Sequence, residues 1–151
     1  MAFKVNIGTK TGKTFKLETE SPEIEGKELG QKIKGEDILP SLSGYEFEIK
    51  GASDLAGFTS MENVEGFALK KVLLGYGKGM HKRSKREGKK HRASFRPGGL
   101  RLRKTVRGKV LSTATAQINL KVIKEGHKHL SEIFPEQNKA PEKQAETPIA
   151  A

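Results

Sequence analysis

Between Lys78 and Lys109 stand 14 Lys or Arg residues and a single acid, Glu87. Ammonium and guanidinium groups at that density do one kind of chemistry well: they neutralise the phosphates of a polyanion and release its condensed counterions. The local balance is 14 − 1 = +13 while the whole chain carries +11, so everything else sums to 11 − 13 = −2. A solvated face mixes signs, and this segment does not. A basic block on a near-neutral body is the electrostatic footprint of a nucleic-acid binder, with RNA and DNA not separated by charge alone.

The block has two halves with different physics. From Gly75 to Gly99 it is polar and glycine-rich, without core-forming periodicity. Its cations would surround a helix rather than line one face, so the segment is expected to be a flexible loop that orders against phosphates. Lys78, His81, Lys82, Arg83, Lys85, Arg86, Lys89, Lys90, His91, Arg92 and Arg96 are its candidate RNA-binding residues. Tyr76 and Phe95 are candidates for stacking on an unpaired base, Phe95 equally for anchoring the loop.

The second half reads as a strand over 100–110. Leu100, Leu102, Val106 and Val110 take even positions and Arg101, Arg103, Arg107 and Lys109 odd ones. Alternation sends the apolar set into a core and the basic set into a row on the opposite face. Lys104 interrupts the apolar set, which predicts a bulge or strand end there, and it joins the candidate cations. Arginine in such a row can clamp a phosphate bidentately or stack on a base, which lysine cannot do.

Other chemistries find no support. Cysteine is absent, which removes disulfides, thiolate nucleophiles and cysteine zinc ligands. There is no G-x-S-x-G elbow, no HExxH and no Walker or dinucleotide-binding glycine spacing around Gly75-Tyr76-Gly77-Lys78-Gly79. His127 and His129, and His81 and His91, have no recognisable zinc spacing. The expectation is no catalytic residue, no metal, no cofactor and no small-molecule substrate. Asp54, the one acid in a glycine-rich stretch, is read as an Asx-turn holding its loop.

The elements that must position the basic surface are mostly strands. Phe3, Val5 and Ile7 alternate with Lys4 and Asn6, and Phe15 and Leu17 repeat the pattern after Thr11-Gly12, which predicts a hairpin. Tyr45, Phe47 and Ile49 predict a half-buried strand, 51–60 a loop, 67–74 a buried strand, and Ile118, Leu120 and Val122 a last strand ended by Gly126. Short helices are expected after Ser21, as N-cap to Pro22, and over 127–134. From Pro135 to Ala151 too little apolar surface exists to offset ordering entropy, so a disordered tail is expected. No apolar stretch approaches the roughly 20 residues of a membrane span, and the N-terminus has no signal-peptide run. The expected protein is soluble and cytoplasmic. Its fold is expected to be mainly β: a small β-barrel-like domain over 1–134, with the basic loop 75–99 inserted and the tail 135–151 appended.

The order Gly-Tyr-Glu-Phe-Glu-Ile-Lys-Gly-Ala-Ser-Asp-Leu-Ala-Gly-Phe (44–58), the basic loop, and Leu-Arg-Lys-Thr-Val-Arg-Gly (102–108) resembles protein six of the small ribosomal subunit in archaea and eukaryotes. That family is distinct from the bacterial protein of the same number. The resemblance covers roughly residues 2–134. Ala52 stands where the family's Gly-Gly-x-Asp-x-x-Gly-Phe-Pro-Met loop has its second Gly, and Thr59-Ser60-Met61 replaces Pro-Met. The long basic C-terminal helix of eukaryotic members has no counterpart, so the chain looks archaeal. The resemblance implies a ribosome-bound structural protein whose partners are small-subunit rRNA and neighbouring small-subunit proteins. Charge alone leaves a DNA-compacting, chromatin-like protein as the alternative.

Overall fold

The computed structural model describes residues 2–81 and 98–138. Strands β1 (Phe3–Gly8) and β2 (Thr14–Thr19) form the expected hairpin, with Val5 opposite Leu17 and Ile7 opposite Phe15. β3 (Lys32–Lys34), β4 (Glu46–Asp54) and β7 (Thr115–Lys124) complete a sheet in the order β2-β1-β7-β4-β3. β1 and β7 run parallel and every other pair is antiparallel. Between β4 and β7 in sequence, β5 (Leu69–Leu74) and β6 (Leu102–Arg107) form a separate antiparallel pair.

Alternation explains the main core. Phe3, Val5 and Ile7 of β1, Phe15 of β2, Phe47 and Ile49 of β4, and Ile118, Leu120 and Val122 of β7 are all buried on one face. Single-turn 3-10 helices at Pro22–Ile24, Gly35–Asp37 and Pro40–Leu42 contribute Ile24 and Leu42 to that face, and helix α1 (Leu130–Ile133) adds Leu130. Burying these side chains at ~25 cal/mol per Å² is the dominant stabilising term. A second, smaller core gathers Val64, Leu74, Met80 and Val106 under the β5–β6 pair.

The chain from Arg107 to Leu111 stitches the two together. Arg107 N–H donates to the Thr59 carbonyl and Lys109 N–H to the Val64 carbonyl, while Leu29 N–H donates to Lys109 and Leu111 N–H to Lys27. Gly108 is required at this crossing: a Cβ there would stand 1.8 Å from the Gly66 carbonyl oxygen.

The fold is mainly β as expected, but the sheet is open rather than a barrel. Closure would need β2 to pair with β3, and a three-residue β3 bearing Lys32 and Lys34 offers too little ladder. The 51–60 loop is shorter than expected, because β4 continues to Asp54 through register shifts near Gly51 and Ser53. Ser21 precedes a single 3-10 turn instead of a helix, and its hydroxyl donates to the Ile38 carbonyl.

The expected buried strand over 67–74 is corrected too. Among the described residues β5 has only β6 beside it, and Phe67, Leu69 and Leu73 are exposed at 62%, 45% and 51%. The tail is structured at its start: Gln137 exchanges two hydrogen bonds with the Lys16 backbone, and Asn138 donates to the Thr14 carbonyl. Phe134 lies against Phe15, ring centroids 6.0 Å apart. These residues cover the β2 edge; the tail beyond 138 lies outside the described residues.

Candidate nucleic-acid interface

β6 presents the basic row as alternation requires, but only in part. Arg103, and Arg101 just before the strand begins at Leu102, are exposed, with no carboxylate within ion-pair distance among the described residues. Arg107, expected in the same row, is not a free surface cation. Its Nη2 and Nε donate to Asp54 Oδ2 at 3.0 and 3.2 Å, and its Nη1 donates to the Phe67 carbonyl at 3.1 Å. The side chains are 12% and 4% exposed respectively. β6 ends at Arg107, where the backbone turns in to pair with Thr59 and Met61, and the guanidinium turns in with it.

Asp54 does hold its loop, as read from sequence: Oδ1 accepts the Phe58 N–H at 2.8 Å. Its ion pair with Arg107 therefore joins the two motifs that carried the family resemblance.

Lys109 is likewise engaged, with Glu28 at 3.1 Å and Glu65 at 3.7 Å. The Glu28 hydrogen bond and charge hold its ammonium above the usual lysine range. It stands past the end of β6 rather than in the row. Lys104 marks neither a bulge nor a strand end, since it pairs regularly with Val72 in the middle of the ladder. Its half-buried ammonium donates to the Gly79 carbonyl at 3.0 Å.

The start of the basic loop is folded rather than loose. Met80 is fully buried in the second core, and Gly77 and Met80 exchange backbone hydrogen bonds around a tight turn. A single methionine in a polar stretch was the signal, hidden because one apolar residue makes no period. Tyr76, a stacking candidate, packs half-buried against this core. Lys78 is set beside β4 by this turn, donating to the Lys50 carbonyl at 3.2 Å and to Glu62 at 3.3 Å. His81 is exposed at the end of the turn. Lys82, Arg83, Lys85, Arg86, Lys89, Lys90, His91, Arg92, Phe95 and Arg96 lie outside the described residues.

The turn, β4 and β6 enclose an open cleft of about 790 Å³, whose lining includes Lys50, Lys78, His81 and Lys104. Sequence reasoning named three of these but missed Lys50, which continues the polar face of β4. It missed Asn119 as well, on the outward face of β7. Three His, Asp or Glu side chains nowhere converge as metal ligands among the described residues. No helix among them is long and apolar enough to cross a membrane.

Comparison with known proteins places the chain among ribosomal proteins. A family model described as "Ribosomal protein S6e" matches residues 3–135. The chain is 38% identical over 127 residues to the small ribosomal subunit protein eS6 of Methanococcus maripaludis, covering 83% of this chain and 90% of that one. It is 34% identical over 128 residues to the protein of that name from Nanoarchaeum equitans, covering 84% of each. The Archaeoglobus fulgidus protein is 35% identical over 138 residues, covering 89% of this chain and 96% of its own.

Proposed function

The chain belongs to the ribosomal protein S6e family, and from that premise we propose that it binds and stabilises folded small-subunit rRNA through the basic segment 75–99 and the exposed Arg101 and Arg103. The observation that carries the reading is the segregation of charge: +13 over 78–109 against −2 elsewhere. The fold supports it by leaving Arg103 of β6 and Arg101 just before it exposed, while Val106 of the same strand is buried. A rigid pair of cations beside a cation-rich segment suits an irregular RNA backbone, where shape and phosphates are recognised more than base edges. Contacts with neighbouring small-subunit proteins and a cytoplasmic, ribosome-bound location belong to the same proposal.

The test is filter binding of deproteinised small-subunit rRNA across a salt series. With about 6–8 phosphates neutralised, log affinity against log salt has an expected slope of about −4 to −7. Replacing Lys82, Arg83, Lys85, Arg86, Lys89 and Lys90 together by Gln flattens that slope by roughly 0.7–0.9 for each phosphate left without its cation. A native slope shallower than about −2 would sink the proposal. Equal competition by duplex DNA would favour the chromatin-like alternative instead.

A further inference from the structure

The cleft between β4 and the Gly77–Met80 turn has the features of a built anion site. Lys104 is a half-buried ammonium whose one acceptor among the described residues is the Gly79 carbonyl. A partly dehydrated charge without a counter-ion is costly, and an arriving anion relieves it. Lys50 and Lys78 flank it, each paired with a carboxylate, Glu48 and Glu62. Glu62 is 58% exposed, so that pair is readily exchanged for a phosphate.

The opposite wall is polar and held in place. Asn119 Oδ1 accepts from Asn6 Nδ2 at 3.0 Å and from Gln117 Nε2 at 3.1 Å. Those bonds orient the amide so that its Nδ2 donor turns over Gly51, 3.8 Å from where a Cβ would stand. Ser53 and Thr59 line the same space. Gly51 leaves that space open although the protein does not need a glycine there, because a Cβ would make only ordinary contact. The volume suits one nucleotide unit and not a duplex.

We propose that this cleft seats one phosphodiester and its ribose from an unpaired rRNA segment, with the lysines on the phosphate and the Asn119 and Ser53 donors on the sugar. The cations from Lys82 onward follow His81, a residue of the cleft lining, directly in sequence. The proposal rests on the rRNA-binding function proposed for the chain.

Because the chain has no cysteine, single thiols report occupancy. In the full-length Ser53→Cys protein, saturating deproteinised small-subunit rRNA is expected to slow maleimide alkylation at least tenfold, and in Glu25→Cys to leave it unchanged. Gly51→Val, which fills the cleft and removes no cation, is expected to weaken rRNA binding about tenfold at unchanged salt slope. Lys104→Met keeps the aliphatic stem and is expected to lose affinity and to flatten the slope by about 0.7–0.9. A thermal melt of each variant corrects affinity for the folded fraction. If Ser53→Cys stays reactive in the complex and both cleft variants bind within twofold of the native protein, the cleft is not an RNA site. The six-residue loop variant separates that failure from the wider one: if it still loses binding, only the cleft assignment falls. Protection of Ser53→Cys in assembled small subunits but not by rRNA alone would assign the cleft to a protein neighbour and overturn the proposal.

Discussion

Replacing Arg107 by Ala tests the buried ion pair that ties the end of β6 to Asp54. Alternation along 100–110 places Arg107 in the basic row, where its loss would weaken RNA binding and spare the fold. The structure reverses both expectations. Two of its nitrogens bond one Asp54 oxygen, the third bonds the Phe67 carbonyl, and the pair is almost wholly buried. Removing the guanidinium leaves a buried carboxylate with only the Phe58 N–H for company, a loss of about 3–5 kcal/mol. With a urea m-value of ~1–3 kcal/mol/M, the unfolding midpoint should drop by at least about 1 M. Exposed Arg103→Ala should stay within about 0.5 kcal/mol of the native protein. The double replacement Asp54→Leu with Arg107→Met should regain most of the loss, since no charge is left unpaired, less about 1 kcal/mol for the missing Phe58 hydrogen bond. Urea melts of these variants, with rRNA affinity corrected for folded fraction, decide the matter. An Arg107→Ala protein that melts within about 1 kcal/mol of native yet loses RNA affinity would show that the guanidinium serves RNA, and its structural role would fall.

Met80→Ala should cost about 2–5 kcal/mol despite its place in a polar segment, as read by denaturant melts; a neutral result would mean the turn over the cleft is not anchored. Truncation after Asn138 should move stability by no more than about 0.5 kcal/mol, whereas Gln137→Ala should cost about 0.5–1.5 kcal/mol because it frees the β2 edge at Lys16. Burial opposes ionisation of Asp37, but the hydrogen bond and charge of Lys27, 3.1 Å away, outweigh it and hold its carboxyl below the usual aspartate range. A depressed carboxylate contributes stability present above its unfolded value and lost as pH falls through the folded one. Asp37→Asn should therefore shallow the fall in stability below about pH 4, and an unchanged acid limb would show the pair to be inert.

The charge segregation was legible without coordinates because it is a sum over residues and needs no geometry. The same holds for the β1–β2 hairpin and for the buried faces of β4 and β7, since side-chain alternation is a local property of an extended chain. The basic face at Arg101 and Arg103 follows from that rule as well. Tertiary structure decided whatever depends on residues far apart in the chain. The parallel pairing of β1 with β7 brings Asn6 to Asn119, 113 positions away, and the unpaired edges β2 and β3 leave the sheet open where a barrel was expected. The partner of Arg107 stands 53 residues earlier, so no period in 100–110 could reveal that one arginine of the row is structural. Burial of Phe67 and Leu73 depended on a second layer that the described residues do not supply, and burial of Met80 depended on a small core assembled from Val64, Leu74 and Val106. Periodicity tells which residues share a face; only the packed chain determines what that face meets.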